Sequence, residues 1–186
     1  MTLFLCLERE GEWGYYGEVI VKVFSNMFSN KNMEIRKANK KDIEKIVELN
    51  AQLFNYHAKI DKYYKSDKEG INSFKKHLKE IISKRNYRII VAEDKGKTVG
   101  FLVGRVDKPR PYAKPKKIGM LSTAFVCKNC RRSGIGKLMF NDFLEWCRKN
   151  KVKNIELSVD SRNEIGNGAW KKFGFKDFMK RMRLDL

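Results

Sequence analysis

The sequence predicts an α/β domain with a mixed sheet flanked by helices. Three observations predict it. From Met33 onward, apolar runs of strand length alternate with stretches of helical periodicity. Two runs, 87–93 and 98–107, flank Asp94-Lys95-Gly96-Lys97, which reads as a hairpin turn with Gly96 supplying a positive φ. A third run, 118–126, passes through a basic glycine turn, Arg131-Arg132-Ser133-Gly134-Ile135-Gly136, into an apolar-periodic helix over 135–147.

The elements follow in order. Residues 1–32 are an N-terminal extension of unknown role, with a turn over 10–17 and a strand over 19–24. An added hairpin, a dimer contact and an artefact of the start-codon assignment all fit it, and Met33 would make a natural start. Residues 33–186 are the main domain, opening on a strand at Glu34-Ile35-Arg36-Lys37-Ala38. Asn39 can cap the next helix, with Asp42 three residues on in a near capping-box pattern. Ile43, Ile46, Val47, Asn50, Leu53 and Phe54 form its buried stripe, and a connection is expected over 55–67. Ile71, Phe74, Leu78, Ile81 and Ile82 mark a second helix. Residues 108–117 hold all three prolines and read as a basic loop. A strand over 154–160, a short helix over 163–173 and a last strand or strand pair over 175–186 complete the chain.

The glycine turn is the sequence's main chemical signal. Glycines let backbone N–H groups approach a ligand, and a helix start adds unpaired donors and partial positive charge. Together they suit a phosphate or pyrophosphate. Arg131, Arg132 and Lys137 add full charges. The bland reading is a tight strand-to-helix connection. Two phosphate loops are excluded: one residue separates the glycines where the P-loop has four, and Met139 stands where the dinucleotide fingerprint has a third glycine.

A second stretch joins this one. Asn163 and then Ala169-Trp170-Lys171-Lys172-Phe173-Gly174-Phe175 follow the strand at 154–159. The pair of blocks, in this order and separation, resembles the GNAT superfamily of N-acetyltransferases over roughly residues 33–186. The resemblance implies a mostly antiparallel central sheet flanked by helices. It implies a cytoplasmic enzyme using acetyl-CoA as cosubstrate to acetylate a primary amine of a small molecule, a protein N-terminus or a lysine. Phe125 and Val126 would hold the pantetheine arm and the oxyanion. Arg131, Arg132, Ser133, Gly134, Ile135, Gly136 and Lys137 would hold the pyrophosphate. Asn163 and Trp170 would lie beside the cofactor arm, and the first two helices would wall the acceptor groove, where His57 and nearby tyrosines can touch substrate. A homodimer also fits the family.

Two departures bear on catalysis. Trp170 stands where many members carry a tyrosine that protonates the CoA sulfur, and an indole N–H is no acid near neutral pH. The central strand carries no carboxylate, although Ser122 and Thr123 can order a water. The catalytic residues are therefore left unassigned, with Glu93, Ser122 and Trp170 as candidates and His57, Asp107 and Asp160 as further sources of a base. A non-catalytic acyl-CoA-binding regulator is the alternative these departures motivate.

Composition narrows the rest. A net charge of +19 fits an anionic cofactor, nucleic acid or the ribosome, or a lysine-rich, heat-adapted background. The basic residues are spread rather than clustered, which ranks nucleic acid and ribosome binding last. The charge favours acceptors of acidic character over free polyamines. No apolar stretch reaches membrane-span length, and residues 1–6 do not read as a secretory signal. The four cysteines suggest a reduced, cytoplasmic setting. Cys127-x-x-Cys130 has no second pair to complete a zinc site, so no metal is expected. Ordinary loop cysteines are the preferred reading over a redox pair.

Overall fold

In the computed structural model, which describes residues 33–64 and 66–185, five strands stand in the order β1-β2-β3-β4-β5. They are β1 Met33–Lys37, β2 Tyr87–Asp94, β3 Lys97–Asp107, β4 Ile118–Val126 and β5 Ile155–Leu157. β2 and β4 both pair antiparallel with β3, and β5 joins β4 in parallel. The sheet is thus mixed and mostly antiparallel. The readings made of residues 1–32 lie outside the described residues.

Local chemistry explains the elements. At the hairpin, Asp94 pairs with Lys97, and both central residues have positive φ, 51° at Lys95 and 73° at Gly96. Such turns match the twist of the strands they join. Asn39 caps a 3-10 turn, Lys40–Asp42, that leads into helix α1, Ile43–Ile60. The reciprocal capping box is complete: Lys41 N–H donates to Asn39 Oδ1 at 2.9 Å, and Asn39 N–H donates to Asp42 Oδ2 at 2.7 Å. Arg36 forks onto the same Asp42 carboxylate at 2.9 and 2.7 Å and also donates to Glu93, tying β1, the start of α1 and β2 together. The Arg36 guanidinium holds the Asp42 carboxyl below its ordinary range against the opposing effect of burial.

α1 runs further than the expected connection at residue 55. Leu53, Phe54, His57 and Ile60 keep helical spacing, and no glycine or proline intervenes before the extended Asp61. Tyr56 and His57 therefore ride on a helix rather than a loop. Helix α2, Lys68–Ile81, is capped by Asp67, whose side chain accepts from Gly70 N–H. Both helices pack on one sheet face. Ile43, Ile46, Val47, Leu78 and Ile81 meet Ile89, Val91, Phe101, Val103 and Phe125 in one buried cluster. Each large side chain buried there contributes about 1.5–3 kcal/mol. Helix α3, Ile135–Lys149, covers the other face through Met139 and Phe143. Its Cys147 thiol is pushed up to about 11 by burial, which makes it a packing group rather than a nucleophile. Helix α4, Glu164–Lys172, follows β5.

Three further expectations need correction. β5 is shorter than expected, with its ladder confined to Ile155–Leu157. Residues 175–185 form no strand. That tail is held by side chains instead of a ladder: Arg183 Nη2 donates to Asp61 Oδ2 at 2.8 Å and its guanidinium lies 5.0 Å from the Tyr63 ring. Cys127 and Cys130 are not separate loop thiols either; their sulfurs adjoin as a pair, with Cα atoms 5.3 Å apart. The reason is the 3-10 turn Lys128–Cys130, capped by Cys127, because residues three apart in such a turn stand over one another.

Candidate active site

β4 is where the sheet opens. It pairs with β3 from Ile118 to Val126, but its parallel ladder to β5 stops at Leu121 opposite Leu157. Beyond that point β4 and the chain after β5 part. Residues 122–126 keep one edge without a strand partner among the described residues. Ser122 lies at a bulge in the β3 pairing, between Leu121 opposite Gly104 and Thr123 opposite Val103. Phe125 is buried on the α1 and α2 face, and Val126 is half-buried at the strand end.

The glycine turn follows directly. Gly134 sits in the left-handed region at φ 84° and forms the N-cap of α3, where no side chain caps the helix. The first N–H groups of α3 are left as donors. Gly136 is different. It lies within the helix, and an added Cβ would meet only Phe173 Cζ, at 3.9 Å. The fold itself leaves room for a side chain at this position. Arg131 turns back, donating from Nε to the Val126 carbonyl at 3.0 Å with its guanidinium 5.6 Å from the Phe125 ring. Ser133 Oγ donates to the Cys130 carbonyl at 2.6 Å. Arg132 and Lys137 are exposed. The Ile135 side chain is buried, which leaves its backbone N–H as its available donor.

α4 carries the second sequence block. Asn163, buried, caps α4 by accepting from Gly166 N–H at 2.9 Å, and accepts from Tyr56 Oη at 3.2 Å. Trp170 packs edge-on against Phe140, Phe173 and Phe175, with centroids 5.7–6.2 Å apart. Four rings thus dock α4 on α3.

The base candidates differ in how they are engaged. Glu93 is ion-paired with Arg36. Asp107 accepts from Arg105 Nε at 3.0 Å, and Arg105 Nη1 donates to Ser122 Oγ at 3.0 Å. Asp160 accepts from Arg162, which holds its carboxyl below the ordinary range. The same Arg162 donates to Asp61 at 2.7 Å, and with Arg183 it holds the Asp61 carboxyl well below the ordinary range. His57 stands apart. Its half-buried ring lies 6.0 Å from Tyr56 and 5.3 Å from Tyr64, outside any arginine pair. Burial lowers its pKa, partly opposed by the charge of Asp160. Tyr64 also lines a shallow, open depression of about 410 Å³ between the helices, together with Phe54, Tyr63, Gly70, Ser73, Phe74 and His77.

The Asp61, Arg162 and Arg183 cluster has no local signature in the sequence. Its members lie 101 and 122 residues apart, and only folding brings them together.

The opened parallel strand pair leads into a basic helix start whose first N–H groups have no side-chain cap, an arrangement suited to a phosphate-bearing ligand. Residues 36–175 match the Acetyltransferase (GNAT) family, and the chain belongs to it. The chain is 25% identical over 153 residues to an uncharacterised N-acetyltransferase of Methanocaldococcus jannaschii, covering 79% of this chain and 62% of that relative. It is 28% identical over 131 residues to an uncharacterised N-acetyltransferase of Archaeoglobus fulgidus, covering 70% and 84%. The chain thus spans less than two thirds of the first relative's length. Among solved structures, a Bacillus halodurans protein crystallised as a tetramutant superposes with a TM-score of 0.72 at 22% identity, covering 82% of this chain and 99% of its own. The aminoglycoside N-acetyltransferase AAC(6')-Iy in complex with CoA superposes at 0.66 with 17% identity, covering 83% and 94%. These likenesses show the fold. The family is named for acetyl transfer. Among the described residues, no helix is long and apolar enough to cross a membrane.

Proposed function

We propose that this chain is an acetyl-CoA-dependent N-acetyltransferase acting on a primary amine of a small molecule, a protein N-terminus or a lysine. The observation that carries the reading is the opening of β4 from β5 after Leu121, directly upstream of the glycine turn. The free edge at residues 122–126 suits the amide groups of a pantetheine arm, which then takes the place of a strand. The N–H groups at Ile135, Gly136 and Lys137 suit the pyrophosphate, with Arg132 and Lys137 supplying charge.

The chemistry follows from the same geometry. The acceptor nitrogen must be neutral to attack the thioester carbonyl. His57 is the candidate we choose to take its proton, directly or through one water, because Glu93, Asp107 and Asp160 are each engaged by an arginine and His57 is not; burial, which lowers its pKa, agrees. Backbone N–H groups at the end of β4 stabilise the developing oxyanion. As the C–N bond forms, the C–S bond breaks. A thiol pKa of about 8.5 lets the CoA thiolate leave without an acid, consistent with Trp170 serving as a packing residue.

The acceptor class follows from the groove. Asp61 and Asp160 are both engaged by arginines, so they offer little attraction to a polycation. The open aromatic depression that reaches Tyr64, whose ring lies 5.3 Å from His57, suits an amine attached to an apolar or aromatic group. The test is thermal unfolding with acetyl-CoA, followed by an amine panel. Ligand at about 100 times its dissociation constant stabilises by about 2.7 kcal/mol. Absence of any shift overturns the cofactor reading; binding without turnover across the panel favours a non-catalytic acyl-CoA-binding regulator. Preference for spermidine over apolar amines overturns the acceptor class.

A further inference from the structure

We infer that Cys127 and Cys130 form a reversible dithiol/disulfide site that sets the stiffness of the glycine turn. Three observations converge on the pair. The sulfurs adjoin across a 3-10 turn, and the Cα separation of 5.3 Å lies within the range a disulfide spans. The two residues belong to different mechanical parts. Cys127 is fixed to the sheet, donating its N–H to the Val99 carbonyl at 2.9 Å and packing against the buried core. Cys130 belongs to the turn, and its carbonyl receives the Ser133 hydroxyl at 2.6 Å. A bond between the two sulfurs therefore ties the turn carrying Ser133, Gly134 and Gly136 to the rigid end of β4. Both residues are also half-buried rather than enclosed, so a small reagent reaches them, whereas Cys147 is buried.

The oxidant is a low-molecular-weight disulfide. One cysteine thiolate attacks a sulfur of that disulfide, forming a mixed disulfide and expelling one small thiolate. The second cysteine thiolate attacks the protein sulfur of the mixed disulfide and expels the other small thiolate. One S–S bond breaks and one forms. The two protons released by the cysteines end on the two small thiols. The protein pair is oxidised, the small disulfide is reduced, and excess dithiol reverses the exchange. Ordering a binding loop before the ligand arrives lowers the cost of binding, so the bonded state is the one that favours acetyl-CoA. That consequence rests on the function proposed above; the bond itself does not.

The experiment equilibrates the full chain in reduced and oxidised glutathione, traps thiols with acid and alkylation, and reads the mass. Hydrogen exchange over residues 131–136 and acetyl-CoA affinity are then measured in both states. The expected result is an oxidised form that lacks the two alkyl groups the reduced form takes up at Cys127 and Cys130, slower amide exchange in the turn, and acetyl-CoA bound roughly threefold to tenfold more tightly. Cys130→Ser, which spares the core-packed Cys127, is expected to show the reduced behaviour in either buffer. Cys147→Ala is expected to respond like the parent. Thiols that stay reduced under oxidising buffer, or identical exchange in the two states, overturn the inference. Absence of acetyl-CoA binding in both states overturns the cofactor reading instead and leaves the mass and exchange results to decide the pair.

Discussion

The Tyr56 hydroxyl donates to Asn163 Oδ1 across 3.2 Å, a contact that spans 107 residues of sequence. The same oxygen receives Gly166 N–H at the start of α4. α1 is thereby fastened to the start of α4. Tyr56→Phe removes the donor and keeps the ring. The expected cost is about 1 kcal/mol in denaturant unfolding, with a rise in KM for acetyl-CoA. A variant with unchanged stability and unchanged KM contradicts this link.

Gly134 and Gly136 separate conformation from clearance. Gly134→Glu forces a side chain into left-handed backbone and sets a carboxylate at the anion site. It should abolish stabilisation by acetyl-CoA. Gly136→Ala acts in the opposite sense on the fold, because alanine favours a helix over glycine by about 1 kcal/mol. Melting temperature should rise while acetyl-CoA affinity falls. If affinity survives in Gly136→Ala, no ligand backbone approaches there.

The fate of His57 gives a pH signature. Burial holds the folded-state imidazole below 6.5, while the unfolded chain keeps about 6.5. The unfolded state therefore takes up its proton first. The contribution to stability is complete above 6.5 and is lost as pH falls from there through the lowered folded value. His57→Gln should flatten that part of the stability curve. It should also lower kcat by about a hundredfold or more if His57 takes the proton. A variant with wild-type kcat assigns the base elsewhere.

Trp170 lies among three phenylalanine rings, and indole is no proton donor to a thiolate. Trp170→Phe should leave kcat within about twofold, a limit set by retained packing and unchanged acid chemistry. Trp170→Ala should cost about 2 kcal/mol, less than a fully buried aromatic because the ring is half-buried. A collapse of kcat in a folded Trp170→Phe protein shows that the indole N–H takes part.

Arg36 satisfies Asp42 and Glu93 together, and its own side chain is 27% exposed. Arg36→Ala strands two partly buried carboxylates. We expect a loss of about 2 kcal/mol, below the fully buried limit because water reaches the cluster. Urea unfolding checks it; a loss under about 0.5 kcal/mol would class the cluster with ordinary surface pairs.

Much of this architecture was legible in residue order because it is locally encoded. The Asn39 and Asp42 capping box, the Lys95-Gly96 turn and the run from Ile118 through Gly134 to Cys147 each depend on neighbours a few positions away. The tail was misread for a different reason. Residues 175–186 read as a strand or strand pair, but a strand needs a partner edge, and β5 offers only three residues. Charge settles the matter instead, through Arg183 on Asp61. The end of α1 was misplaced because Tyr56 and His57 carry weak helical signals on their own. Asp61, Arg162 and Arg183 were illegible as a site because nothing in the order of residues joins them.

The free side of β4 has a consequence for handling the protein. A strand flank without a strand partner is a template for a stray strand from another molecule. Whatever fills that flank also shields it. Preparations stripped of ligand should clump sooner on warming than ligand-saturated ones, even when their melting temperatures are matched by a stabilising cosolute. Light scattering during a slow temperature ramp would show the difference.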